Sequence, residues 1–218
     1  MRYGIYGGAF DPIHLGHLLL AESCLREAEL DRVIFVPTGI SPHKNSKNSY
    51  FADAQDRYNM ISLAIENCNE FEVSRCEIDR GETSYTIDTL RYFHNKFNNV
   101  TEITDPNYCN ENYSKDAKNQ VEFFLIIGCD TFCVLQDWQK IDEVLKLSIP
   151  LVALRAGWQL PKTDINYISV NMPIIDISST RIRNMLAKNI IPRFLTTEKV
   201  LEYIKNRKLY FPSTQIQK

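Results

Sequence analysis

The run Phe123-Phe124-Leu125-Ile126-Ile127 carries five apolar side chains in succession and stops at Gly128. A strand with one wet face would alternate apolar and polar residues. A run without alternation belongs to a strand covered on both faces, and such strands sit in parallel sheets between layers of helices. The rest of the chain keeps that rhythm. Strands are read at Met1–Gly7, Val33–Val36, Phe71–Ile78, Val121–Ile127, Ile149–Leu154 and Ile174–Ile177. Helices are read at Leu15–Glu29, Asp53–Asn67, Ser84–Phe97, Ser179–Ala187 and Thr197–Asn206 from apolar residues at helical spacing and from caps such as Asp53. The fold class is therefore α/β: a Rossmann-like, doubly wound, mostly parallel sheet with helices on both faces. Such sheets hold ligands at the carboxyl ends of their strands.

The chain of 218 residues suits one domain, 1–218, with 179–218 as a C-terminal helical part. Lys96–Gln120 breaks the rhythm; it is polar, rich in Asn and contains Asp105-Pro106. We read about 97–120 as a loop insertion, with a solvated excursion of no function as its simplest meaning. No run is long enough to span a bilayer, and the N-terminus does not read as a secretory signal, since it enters a Gly-rich motif at once. The six cysteines form no C-x-x-C pair, which points to free thiols, no zinc site and a cytoplasmic setting. A net charge of −2 argues against a surface built for nucleic acid, but not against a local cationic pocket for a phosphorylated small molecule.

Two local patterns point to that pocket. The first is Gly7-Gly8-Ala9-Phe10-Asp11-Pro12-Ile13-His14-Leu15-Gly16-His17, where the first strand hands over to the first helix. Gly7 and Gly8 let backbone N–H groups approach a bulky anion. His14 and His17 share one face of the helix start, together with its free N–H groups and partial positive charge. Gly16 removes a side chain that would block close approach. Taken alone, a His pair at this spacing is as readily a surface pair or a pair of metal ligands; Gly-Gly at a strand end turns the reading toward polyphosphate. The second pattern is Ile177-Ser178-Ser179-Thr180-Arg181-Ile182-Arg183, again a strand leading into a helix. Its hydroxyls and N–H groups suit a cap and phosphate oxygens, and Arg181 and Arg183 offer forked donors. Neither G-x-x-x-x-G-K-[ST] nor G-x-G-x-x-G occurs, so P-loop NTPases and fingerprint-bearing dehydrogenases are excluded.

Together these residues resemble the HxGH nucleotidyltransferases, and most nearly the bacterial nicotinate-nucleotide adenylyltransferase family. The family's GG-T-FDP-x-H-x-GH is met by Gly7 to His17, its Pro-His-Lys by Pro42-His43-Lys44, and its R-x-G-x-SYT-x-DTL by Arg80 to Leu90. Its IG-x-D and L-x-x-W are met by Ile127 to Asp130 and Leu135 to Trp138, and its ISST-x-IR by Ile177 to Arg183. Ala9 stands where the family usually has Thr. Arg155-Ala156-Gly157 replaces Arg-Pro-Gly, and the Asn-rich loop is longer than usual.

The resemblance implies an enzyme that moves AMP from ATP to nicotinate mononucleotide, giving deamido-NAD and pyrophosphate in NAD biosynthesis. It implies catalytic roles for His14, His17, Lys44 and Arg183. ATP contacts are implied at Gly7, Gly8, Ala9, Phe10, Gly128, Asp130, Ile177, Ser178, Ser179, Thr180 and Arg181. The mononucleotide would meet backbone N–H groups at Ser84, Tyr85 and Thr86, and stack on Trp138. Trp138 is alternatively a core aromatic, and Asp130 would meet a ribose or cap the next helix, two compatible roles. The attacking phosphate, with a second pKa of about 6, is already largely dianionic and needs no general base. Mg²⁺ would bridge phosphate oxygens with few protein ligands. The implied partners are ATP and nicotinate mononucleotide, with no nucleic acid and no membrane; a homo-oligomer stays open. The alternatives are another HxGH enzyme such as a pantetheine-phosphate adenylyltransferase, a non-catalytic nucleotide sensor, and an RNA-binding relative of the tRNA synthetases.

Overall fold

A computed structural model describes residues 1–40, 52–98, 121–154, 163–173 and 175–212. The strands are β1 (Arg2–Gly8), β2 (Arg32–Pro37), β3 (Phe71–Val73), β4 (Glu122–Gly128), β5 (Ile149–Leu154) and β6 (Ile168–Asn171). The helices are α1 (Leu15–Glu27), α2 (Ala54–Ile65), α3 (Cys76–Arg80), α4 (Thr86–Asn98), α5 (Cys129–Cys133), α6 (Ile141–Leu147), α7 (Ser179–Ala187) and α8 (Glu198–Asn206). A single 3-10 turn, Leu135–Asp137, follows α5.

The strands lie in the order β3-β2-β1-β4-β5-β6, and every pairing is parallel. Chain order reverses direction between β1 and β4. A crevice opens at the carboxyl ends of the strands at such a reversal, because the connecting helices leave toward opposite faces. Gly7 and Gly8 end β1 there, and Gly128 ends β4.

The unbroken apolar run of β4 does what its composition predicts. Phe124 and Ile126 join one buried cluster with α1, α2, α7 and α8. Phe123, Leu125 and Ile127 join a second cluster on the opposite face, with α4, α5 and α6. Ile182, Leu186, Val200, Ile204 and Tyr210 from the C-terminal part belong to the first cluster. Among the described residues no helix is long and apolar enough to cross a membrane. Cys24, Cys68, Cys76, Cys129 and Cys133 are free thiols, and Cys109 lies outside the described residues.

Two sequence expectations are corrected, and two short helices are added. Residues 175–177 are not a strand; the sixth strand is Ile168–Asn171, paired with β5. Only Val170 of β6 is buried, so this edge strand has little apolar signature. The strand expected over Phe71–Ile78 stops at Val73, and α3 follows, closed by Gly81 in the left-handed conformation (φ 70°). Finally, α5 and α6 were not foreseen, because five and seven residues are too few to establish a helical period.

Candidate active site

The crevice widens into a cleft of about 1210 Å³. Its lining includes Gly7, Gly8, Phe10, His14, His17, Gly128, Asp130, Ile177, Ser178, Ser179, Ser84, Tyr85, Thr86 and Trp138, so the structure brings together most of the residues singled out above. Ala9, Thr180, Arg181 and Arg183 do not line it. Lys44, with Pro42 and His43, lies outside the described residues.

At the β1 end, the space over Gly7 is open, whereas a side chain at Gly8 would meet the Phe10 ring at 3.1 Å. Phe10 is buried, takes a left-handed backbone (φ 48°) and sets its ring against the edge of His17, centroids 5.0 Å apart. His14 caps α1, and His17 is the helix's third residue. The two imidazoles stack with centroids 3.7 Å apart. The backbone N–H of His14 donates to His17 Nδ1 at 3.2 Å. A nitrogen that accepts carries no proton, so neutral His17 holds its hydrogen on Nε2 and is a donor from that atom. A side chain at Gly16 would press on the His14 ring at 3.1 Å; Gly16 therefore protects the stacked pair.

The loop between β1 and α1 is held from behind by residues far away in sequence. Arg57, buried on α2, donates to the Ala9 carbonyl at 2.9 Å and the Thr38 carbonyl at 2.6 Å. Burial lowers the pKa of its guanidinium, and the nearby Asp11 carboxylate opposes that shift. The buried Asp11 carboxylate accepts from the Ala52 N–H at 3.0 Å and the Tyr210 hydroxyl at 2.6 Å. Burial, then the Asp11 charge, push the Tyr210 hydroxyl far above the ordinary tyrosine range. Ser179 Oγ donates to the Pro12 carbonyl at 2.9 Å, and Thr196 Oγ1 to the Ile13 carbonyl at 2.9 Å.

Arg183 belongs to the same clamp: it donates to the Asp11 carbonyl at 2.6 Å and to Thr180 Oγ1 at 3.1 Å. Ser178 caps α7 by accepting from the Arg181 N–H. Arg181 is more than half exposed and turns to Asp176. Ser179 directly, and Thr180 through Arg183, thus join the α7 start to the β1–α1 loop, while Ser178 serves the helix itself. No Lys or Arg lines the cleft among the described residues, so positive potential there comes from helix N-termini and imidazole donors.

At the end of β4, Gly128 is the N-cap of α5, and Asp130 stands in the helix's first turn. The Asp130 carboxylate lies over Gly128, 2.5 Å from where a side-chain carbon would stand, and the residue is exposed in the cleft wall. At the far end, Trp138 is half-buried; it packs against the second core cluster and also lines the cleft. The Ser84 N–H is already used, donating to the Ile40 carbonyl at 2.8 Å. The donors expected from this loop are therefore reduced to those of Tyr85 and Thr86, at the start of α4.

Among the lining residues that escaped sequence reasoning, two are polar and buried. Glu77 and Thr89 are buried in the wall beside Ser84, and Thr89 Oγ1 donates to Glu77 Oε1 at 2.6 Å. Thr89 fell inside the Arg80–Leu90 stretch, but Glu77 fell outside every motif, and its short helix gave no period to mark it.

A family model described as Cytidylyltransferase-like matches residues 5–185. A probable nicotinate-nucleotide adenylyltransferase from Caldicellulosiruptor saccharolyticus is 35% identical over 221 residues, spanning 96% of this chain and 99% of that protein. One from Moorella thermoacetica is 37% identical over 224 residues, spanning 97% and 92%. In fold, the chain resembles a Plasmodium falciparum nicotinic acid mononucleotide adenylyltransferase complexed with NaAD, with a TM-score of 0.70, 19% identity, and 96% and 97% of the two chains covered. Identities of 35% and 37% over nearly the full length, with the Gly7–His17 and Ile177–Ser179 stretches bordering one cleft, place the chain in the nicotinate-nucleotide adenylyltransferase family.

Proposed function

We propose that the cleft seats ATP at the end formed by Gly7–His17 and Ile177–Ser179, and nicotinate mononucleotide at the end formed by Tyr85, Thr86 and Trp138. The reaction is transfer of AMP from ATP to nicotinate mononucleotide, giving deamido-NAD and pyrophosphate. The observation that carries this reading is the single cleft of about 1210 Å³ lined by both sets of residues. That volume exceeds the roughly 300–1,000 Å³ of most one-ligand pockets and suits two substrates placed end to end.

Catalysis in this reading is alignment plus charge stabilisation. The mononucleotide's phosphate oxygen attacks the α-phosphorus, the bond to the β-phosphate oxygen breaks, and pyrophosphate leaves. His17 donates from Nε2 to the phosphates, with His14 stacked beside it and the start of α1 behind them. Gly7 supplies an unobstructed backbone, and Phe10 and Ala9 shape the loop. Ser178, Ser179 and Thr180 set the start of α7 toward the phosphates. Arg183 acts from behind the loop, holding the Asp11 carbonyl, and Arg181 adds charge at the rim. Lys44 is the remaining cation assigned to the triphosphate. Gly128 and Asp130 receive ribose hydroxyls.

Magnesium is assigned to the triphosphate rather than to the protein. It characteristically keeps water and phosphate ligands, and no group of three or more His, Cys, Asp or Glu able to hold a metal occurs among the described residues. We further read residues 1–218 as one nucleotidyltransferase domain acting in the cytoplasm. The test is pyrophosphate release from ATP with nicotinate mononucleotide, beside nicotinamide mononucleotide and phosphopantetheine. Turnover highest with nicotinate mononucleotide is expected; turnover highest with phosphopantetheine, or none with any acceptor, refutes the reading.

A further inference from the structure

We propose that Glu77 and Thr89 form a positioning pair that holds the mononucleotide end of the cleft in shape, a role that rests on the reading of Tyr85, Thr86 and Trp138 as that end. Both side chains are buried, both line the cleft, and the Thr89 hydroxyl donates to Glu77 Oε1 at 2.6 Å. The pair ties α3 to the first turn of α4 across the loop that carries Ser84, Tyr85 and Thr86.

That loop has few other ties. One side is fixed to the end of β2 through the Ser84 N–H on the Ile40 carbonyl and the short pairing of Ile40 with Thr83. There α3 leans directly on Gly39. A side-chain carbon at Gly39 would come within 2.4 Å of the Glu77 carbonyl and 3.3 Å of Ser84 Oγ. The other side of the loop is α4 itself, and the Glu77–Thr89 bond joins it to α3.

The chemistry of Thr89 explains why an acceptor is needed. A threonine inside a helix commonly turns its hydroxyl back onto the carbonyl four residues earlier, which bends the helix. For Thr89 that carbonyl belongs to Tyr85. The Tyr85 carbonyl already accepts from the N–H groups of Asp88 at 3.1 Å and Thr89 at 3.4 Å, the bonds that open α4. Glu77 draws the Thr89 hydroxyl away from this carbonyl. The first turn then stays regular, and with it the backbone of Tyr85 and Thr86 that borders the cleft. Among the described residues Glu77 has no ion-pair partner, so its contribution is the accepted hydrogen bond rather than a salt bridge.

The experiment uses the full chain and measures KM for each substrate by pyrophosphate release. Glu77→Ala and Thr89→Val remove the bond; Glu77→Gln and Thr89→Ser keep an acceptor and a hydroxyl. The first two are expected to raise KM for nicotinate mononucleotide about tenfold, with KM for ATP within about twofold of the original. The second two are expected to restore it. Thr89→Val conserves volume and supplies the measurement if Glu77→Ala does not fold. Parallel rises in both KM values, or Glu77→Gln as impaired as Glu77→Ala, overturn the proposal. Trp138→Ala separates this outcome from failure of the underlying reading. If it leaves KM for the mononucleotide unmoved, that end has been assigned wrongly. If it raises KM while Thr89→Val does not, only the pair has failed.

Discussion

The Tyr210 hydroxyl donates to Asp11 Oδ1 across 2.6 Å, a contact between residues 199 positions apart. Removing one donor from a buried carboxylate costs about 1–3 kcal/mol. Tyr210→Phe is therefore expected to lower stability by that amount near neutral pH. The pH dependence has a definite sign. Burial raises the Tyr210 pKa above the ordinary 10.0. The bond's contribution is then fully present below about pH 10 and is lost as pH rises further, because only the unfolded chain ionises there. Urea unfolding of both proteins at pH 8 and at about pH 11 should show the stability gap between them shrinking. A gap that stays constant would count against the buried, neutral hydroxyl.

His17→Ala should fold and lose turnover. With Nδ1 accepting the His14 N–H at 3.2 Å, the neutral ring has its proton on Nε2, which can face a ligand as a donor group. Loss of one preorganised donor is expected to cost about 10²-fold in kcat. A folded variant releasing pyrophosphate at a near-normal rate would remove His17 from the catalytic group.

Arg183→Ala should weaken use of ATP and also lower stability, since the side chain bonds the Asp11 carbonyl and Thr180 Oγ1. Arg183→Lys should rescue little, because one ammonium does not reproduce the fork. Lys44→Ala should weaken use of ATP as well. Steady-state kinetics at varied ATP, with thermal melts alongside, check both. Unchanged constants for ATP in every variant would show that the cations are misassigned.

The mononucleotide end should prefer the acid to the amide. The N–H groups of Tyr85 and Thr86 would make charge-assisted bonds to a carboxylate and only neutral ones to an amide, a difference of about 1–3 kcal/mol over the two bonds. The expected ratio of kcat/KM for nicotinate over nicotinamide mononucleotide is roughly 10- to 100-fold. A ratio near one would reject a pocket made of backbone donors.

Much of this molecule was legible in its sequence, for local reasons. β4 announced itself because five adjacent apolar side chains need cover on both faces, and the Gly7–His17 stretch carries its chemistry within eleven residues. What stayed hidden depends on distance. Arg57 reads as an ordinary polar helix residue until its guanidinium is found on the Ala9 carbonyl, 48 positions away. The Ser84 N–H could be counted as a substrate donor until the fold placed the Ile40 carbonyl 2.8 Å from it. Arg183 looked like a phosphate ligand from its motif, and only the structure shows it holding backbone. β6 was missed because an edge strand buries only Val170.

The clamp on the β1–α1 loop also orders events in time. Its fastenings come from residues 57, 179, 183, 196 and 210, whereas the loop itself is residues 9–13. A ribosome delivers the loop first and its last fastening some two hundred residues later. A nascent chain can thus lay down β1 and β2 early, yet its nucleotide-binding end stays unassembled until α7, α8 and Tyr210 have emerged. Non-local closure of this kind is slow relative to helix formation. Competence to bind ATP should then appear as a late step in refolding, after most of the helical signal has returned.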